Sequence, residues 1–120
     1  MPKEFSRSRR VAELVQRELA VLIPKYLQDK DTGLVTVSNV DVSPDLKNAK
    51  IFITSIGNTI EHDQVAARLN DHVGQFRHDL SRSLILRSVP RLHFAFDHAL
   101  ERANRLTTLI DSLKSGKTVD

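Results

Sequence analysis

Five histidines, His62, His72, His78, His93 and His98, are the residues of this chain whose chemistry is richest in catalysis and metal ligation. A helical zinc pair needs two of them at i, i+4 with a third ligand nearby. His72 and His78 are six positions apart, which puts them on different helix faces. His93 and Asp97 share one face of a strand, but their spacing sets them about 13 Å apart along it, too far for one ion. No metal site is expected from these spacings. Serine, histidine and aspartate are all present, yet no G-x-S-x-G elbow exists to expose a nucleophile. The glycines, Gly33, Gly57, Gly74 and Gly116, form neither of the phosphate-cradling motifs. Asp29 with Asp31 and Asp41 with Asp45 sit in or beside turns, where aspartate usually bonds local backbone. The absence of cysteine excludes disulfides, thiolate nucleophiles and cysteine-zinc sites, and it fits a reducing compartment. The reading is therefore a protein that is not an enzyme and carries no cofactor.

Arginine is the residue type left to carry a function. The chain has a formal charge of +3 and a pI near 9.5. Its excess is concentrated. Residues 1–10 carry Lys3, Arg7, Arg9 and Arg10 against Glu4, and residues 74–93 carry Arg77, Arg82, Arg87 and Arg91 against Asp79. Guanidinium groups pair with phosphate through two parallel hydrogen bonds and stack on bases, so two basic segments suit a phosphate-bearing partner. On the predicted third helix His78, Ser81 and Arg82 share a polar stripe, flanked by Arg77 and Arg87. Such stripes also arise as plain solvated faces, and the pattern alone does not choose between the two. Phe52, Phe94 and Phe96 lie in strands, but Phe94 and Phe96 share parity with Leu92, which points them to the core rather than to stacked bases.

These side chains must be positioned by elements whose periods are legible. Val11, Leu14, Val15, Leu19, Leu22 and Ile23 recur at three and four, predicting a helix over about 7–23. Ser6 or Ser8 is expected to cap it and Pro24 to stop it. In LVTVSNVDVS (34–43), Val35 and Val37 share one parity and Val40 and Val42 the other. A strand cannot change parity without an extra residue, so a β-bulge is predicted near Ser38–Asn39. SPDLKN (43–48) is a turn, and AKIFITSI (49–56) completes a hairpin. From His62, apolar residues Val65, Ala66, Leu69, Val73, Phe76, Leu80 and Leu84 follow a helical period interrupted by Gly74. Two helices meeting at a kink there are predicted; one continuous helix with a tolerated glycine is the alternative. Pro90 bars helix beyond about Ser88. RLHFAFD (91–97) alternates as a third, half-buried strand. HALERANRLTTLIDSLK (98–114) reads as a final short helix, with SGKTVD (115–120) expected to fray.

A chain of 120 residues forms one domain, here with its ordered core at about 5–112. Three strands and the helices imply an α+β fold of two layers, one sheet face covered and the other open. The N-terminus lacks a secretory apolar segment and no apolar run approaches membrane-span length, so the protein is expected to be cytoplasmic.

The pieces R-R-V-A-E-L-V-Q-R-E-L-A (9–20), V-T-V-S-N-V-D-V-S-P-D-L-K-N-A-K-I-F-I (35–53), V-P-R-L-H-F-A-F-D (89–97) and L-E-R-A (100–103) resemble, in order, the bacterial ribosome-binding factor A family. The resemblance covers roughly residues 5–112. It implies a KH-like fold of type II, α-β-β-α-α-β, with a kinked helix pair. It also implies a monomeric assembly factor that binds the free small ribosomal subunit. Such a factor assists late 16S rRNA maturation, including 5′-end processing, is released with an assembly GTPase, and matters most in the cold. KH domains ordinarily clamp RNA with a G-x-x-G loop, which this chain lacks. The family carries an Ala-x-Gly step at the kink; the corresponding residues here are His72, Val73 and Gly74, so the glycine, which would relieve backbone strain, is kept while His72 replaces the alanine. The expected RNA contacts are Arg7, Arg9, Arg10, Arg77, Arg82 and Arg87. A general binder of structured nucleic acid, or a protein-protein adaptor using the open sheet face or the last helix, stands as the alternative.

Overall fold

Helical and two-residue periods succeed one another along the chain, and the elements follow them. The structure is a computed structural model that describes residues 3–27, 30–83 and 88–114. Its order is α1 (Lys3–Tyr26), β1 (Leu34–Val42), β2 (Asn48–Ile56), α2 (His62–Asn70), α3 (Val73–Ser83), β3 (Arg91–Phe96) and α4 (His98–Lys114). Leu84, Arg87 and the tail 115–120 lie outside the described residues.

The first helix is longer at both ends than its apolar stripe predicts. Val11, Val15, Leu19, Leu22 and Ile23 are buried as expected. Ser6 and Ser8 are inside the helix rather than capping it, because once a helix is nucleated, extension over helix-compatible residues costs little. Pro24 does not stop it either. In the last turn a proline forfeits only its own amide bond, and the Leu27 N–H still donates to the Ile23 carbonyl at 2.9 Å. Burial of Leu27 and the packing of Tyr26 on Phe76 (5.5 Å, edge to face) offset that loss.

The sheet has the order β1-β2-β3, with β1 antiparallel and β3 parallel to β2. The pairing skips from Val37↔Ile53 to Asn39↔Phe52, so Ser38 is the extra residue of a bulge. The parity change in the valines is thereby accounted for: Val37 and Val40 are both buried. Three core rows result, Val42/Ala49/Leu92 at one end, Val40/Ile51/Phe94 in the middle and Val37/Ile53/Phe96 at the other. The Ser38 hydroxyl donates to the Asp97 carboxylate at 2.7 Å, and the other Asp97 oxygen accepts the Leu100 N–H at 2.9 Å. The bulge thus orients the group that starts α4.

The 43–47 turn is held by one carboxylate. Asp45 accepts from the Ser43 hydroxyl (2.6 Å) and the Lys47 amide (3.0 Å), while Leu46 takes the left-handed conformation, φ 63°. Hydrogen bonding by Ser43, then by the Lys47 amide, holds the Asp45 carboxyl below the usual carboxylate range.

Helices α1 and α2 cover one sheet face over β1 and β3. The chain breaks at Asp71–His72, between α2 and α3. Just before the break, the Asn70 side chain pairs with the edge strand: its amide donates to the Phe94 carbonyl (3.0 Å) and its oxygen accepts the Phe94 N–H (2.8 Å). One side chain thus stands in for a neighbouring strand. Asn70→Ala strands both partly buried backbone groups and is expected to cost about 2 kcal/mol. Chemical denaturation checks this, and a change below about 0.5 kcal/mol would show that water replaces the clamp at no cost.

The last helix covers the range expected from its period, but its apolar residues do not enter the core. Leu106, Leu109 and Leu113 are more than half exposed, and Leu100 and Ile110 are exposed as well.

Candidate nucleic-acid interface

The register decides which cations meet. Gln16 on α1 donates to the Val37 carbonyl at 3.5 Å, and Ser8, Arg9, Ala12 and Gln16 line a groove with Asn39–Val42. Helix α1 therefore runs antiparallel to β1. Ser8 accordingly lies beside Val42, since eight helical residues and four strand residues both span about 12–13 Å. The same end of the sheet carries the 43–47 turn and the start of β3, where the Arg91 N–H donates to the Lys47 carbonyl at 2.8 Å. A second groove of about 410 Å³ there is lined by Lys47, Arg77, Ser88 and Arg91. Exposed Arg7, Arg9 and Arg10 of α1 thus lie toward the same end of the sheet as Lys47, Arg77 and Arg91, with Glu13 and Asp41 beside Arg9 in the first groove.

Arg77 has a second duty. Its guanidinium donates to the carbonyls of Pro90 (Nε, 3.2 Å) and Val89 (Nη2, 3.0 Å), pinning the approach to β3 onto α3. Replacing it would cost stability as well as any phosphate contact, contrary to what a freely solvated arginine would do. Arg82 is exposed and lies about 140° around α3 from Arg77, so the two do not share a face. Arg82 instead shares a face with His78 and Ser81. Arg87 lies outside the described residues. Lys47 and Arg91 carry no contact signal of their own in the sequence. Arg91 enters only a charge count, and Lys47 reads locally as an ordinary turn residue.

At the kink, the His72 ring lies 6.2 Å from Tyr26 and 6.3 Å from Phe76, with Nδ1 at 3.0 Å from the Arg68 carbonyl. That contact assigns the proton to Nδ1. Tyr26 in turn donates to Asp79, and this hydrogen bond is the main reason its phenol titrates above the ordinary tyrosine value. Gly74 has no left-handed φ, and a β-carbon added to it would meet nothing within 4 Å. Backbone strain is not what places glycine there. The kink presents a bare patch of helix backbone to the outside.

The sheet's open face carries Asp41, Lys50 and His93 in one row and Asn39, Phe52 and Ala95 in the next. Lys50 Nζ lies 5.3 Å from the centre of the Phe52 ring. Phe94 and Phe96 are buried, as their parity predicts.

The profile of a family described as ribosome-binding factor A matches residues 7–110. The chain belongs to that family. It is 47% identical to the ribosome-binding factor A of Nitrosococcus oceani, over 98% of this chain and 93% of the relative. Among solved structures it is similar to the crystal structure of the Thermus thermophilus ribosome-binding factor A. That match has a TM-score of 0.63 and 24% identity, covering 73% of this chain and 93% of that one. It is also similar to a homology model of the Thermus thermophilus ribosome-binding factor A fitted into a cryo-EM map of a 30S complex. Here the TM-score is 0.61 and the identity 25%, over 71% of this chain and 89% of that one. The mixed α+β arrangement of a three-stranded sheet and helices is thus similar to that of the Thermus thermophilus ribosome-binding factor A. Among the described residues no helix is long and apolar enough to cross a membrane.

Proposed function

We propose that this protein is a ribosome-assembly factor that binds the free small ribosomal subunit in the cytoplasm and grips 16S rRNA phosphates with the basic end of its sheet. The observation that carries the reading is the groove lined by Lys47, Arg77 and Arg91, with exposed Arg7, Arg9 and Arg10 toward the same end of the sheet. It is supported by membership of a family with a relative placed in a 30S complex. Arg82 forms a separate, flanking contact on α3, and Arg87 completes the set named from the sequence.

In this reading the fold is a KH-like domain of type II, used without a G-x-x-G clamp. The break between α2 and α3 offers the His72–Val73–Gly74 step instead. There the uncovered backbone at Gly74 lets a phosphate-sugar chain come close. Phosphate contacts position the protein, and the shape of the folded rRNA supplies selectivity. The protein acts as a monomer and without catalysis. It helps late 16S maturation, including formation of the 5′ end, chiefly in the cold, and leaves with the help of an assembly GTPase.

Co-sedimentation with isolated small subunits, large subunits and whole ribosomes at low and high salt tests the proposal. Salt-sensitive binding confined to the free small subunit is expected. Binding that hardly responds to salt would favour an adaptor that uses the exposed leucines of α4.

A further inference from the structure

At the end of the sheet opposite the groove of Lys47, Arg77 and Arg91, the Val37/Ile53/Phe96 row is followed by two helix starts that face each other. His62 opens α2 and His98 opens α4, with Glu101 one turn further on. One ligand atom from each of these three residues lies within 4.8 Å of the other two. We propose that His62, His98 and Glu101 form a site for a divalent transition-metal ion of the zinc class, which ties the start of α4 to the start of α2.

The geometry is built as a ligand set. His62 Nδ1 stands 3.3 Å from Glu101 Oε2, close to the edge length of a tetrahedron of ligands about 2.1 Å from a central ion. His98 Nε2 is 2.9 Å from Asp63 Oδ1, a carboxylate that stands behind His98 outside the three-residue set, so solvent supplies the fourth ligand. His98 and Glu101, three apart on one helix, project from the same face.

Groups behind the ligands hold them. The His62 ring lies flat on the buried Phe96 ring, with centroids 4.1 Å apart and planes within 1°. Arg105 Nη2 sits 3.4 Å from Glu101 Oε1, leaving Oε2 turned toward His62. Orientation of ligands by such partners commonly changes metal affinity 10- to 100-fold.

Two imidazoles with carboxylate suit zinc, cobalt or nickel rather than magnesium or calcium, which prefer oxygen alone. The first turns of two helices disfavour a cation, and the Glu101 carboxylate, with Asp63 behind His98, offsets that field. The site is partly exposed, so it should bind more weakly than a closed structural zinc site.

A bound ion would matter because α4 is held at its base. The Asp97 cap and the His62–Glu101 and His98–Asp63 pairs join it to the body, while its leucines beyond residue 105 face solvent. Closing the ligands on one ion converts two separate polar pairs into a cross-link and sets the direction in which the helix leaves the domain.

The test uses the untagged full-length protein, stripped with chelator and dialysed. It is titrated with cobalt(II) and followed by visible d–d absorption, then by zinc competition and the imidazole NMR signals. One ion per chain is expected, with Kd on the order of micromolar, and saturating zinc should raise Tm by roughly 5–10 °C. His62→Ala, His98→Ala and the shape-preserving Glu101→Gln should each weaken binding at least about 10-fold. His93→Ala, on the open sheet face, should leave it unchanged. Absence of saturable binding would overturn the proposal. So would unchanged binding in folded Glu101→Gln and in a folded His62→Ala/His98→Ala double variant.

Discussion

Replacing Arg10, Lys47 and Arg91 together with alanine should lower affinity for the free small subunit about 100-fold near physiological salt, with little change in Tm. All three side chains are exposed at the basic end of the sheet. If each neutralises one phosphate, its loss removes close to one unit from the slope of log affinity against log salt, so the triple variant should lose about three. Sedimentation or filter binding across a salt series reads the slope directly. An unchanged slope would remove this end of the sheet from the interface. Arg77→Ala is the informative contrast. The carbonyls of Val89 and Pro90 lose their donors, so its binding defect should come with a stability loss of about 1–2 kcal/mol. A binding defect measured in that variant alone would therefore not identify a phosphate contact.

Two glycines should respond in opposite ways to the same added methyl group. Gly33 has φ +68°, and a β-carbon there would lie 2.3 Å from the Ile56 carbonyl oxygen and 2.7 Å from the Asn58 nitrogen. Both obstacles are backbone of the segment leaving β2 and cannot swing aside. A left-handed alanine costs about 1 kcal/mol before the clash is counted. Gly33→Ala should therefore destabilise by roughly 3 kcal/mol or more, lowering Tm by about 10 °C or more. Gly74 is helical and open, so Gly74→Ala should leave stability unchanged or raise it by up to about 1 kcal/mol through helix propensity. If RNA backbone lies against the kink, that same variant should bind the small subunit more weakly despite its stability. Thermal melts and co-sedimentation of the two variants side by side check both halves. A stabilised Gly74→Ala with full binding would move the interface away from the kink.

How much of this is legible along the chain depends on the range over which each feature is encoded. The valine parity change at Val37 and Val40 announces the bulge, because side-chain direction in a strand is set two residues at a time. The helical period before and after Gly74 announces two helices, and Leu92, Phe94 and Phe96 announce a half-buried strand. The four motif pieces in their order carry the family. Each of these is a statement about neighbours along the chain, settled by backbone geometry within a few residues. Pro24 misleads because its cost is local while the burial of Leu27 that offsets it is not.

The basic site is encoded differently. Lys47, Arg77 and Arg91 are scattered along the sequence and meet in one groove because β3 lies parallel to β2, while Arg9 reaches the same end of the sheet because α1 runs antiparallel to β1. The double duty of Arg77 depends on where the 88–90 segment passes, and the Asn70 clamp depends on β3 being an edge. His98 and Glu101 stand at a helical i, i+3 spacing, but His62 is remote along the chain, and the two helix starts are brought together only by the register of β3. The period of α4 predicts a helix yet says nothing about what it packs against, and its leucines remain exposed. Local patterns of residues thus settle which elements form, in what order and in which family. The docking of those elements settles which charges, carbonyls and imidazoles face one another, because such contacts are selected by packing across the core rather than by any pattern along the chain.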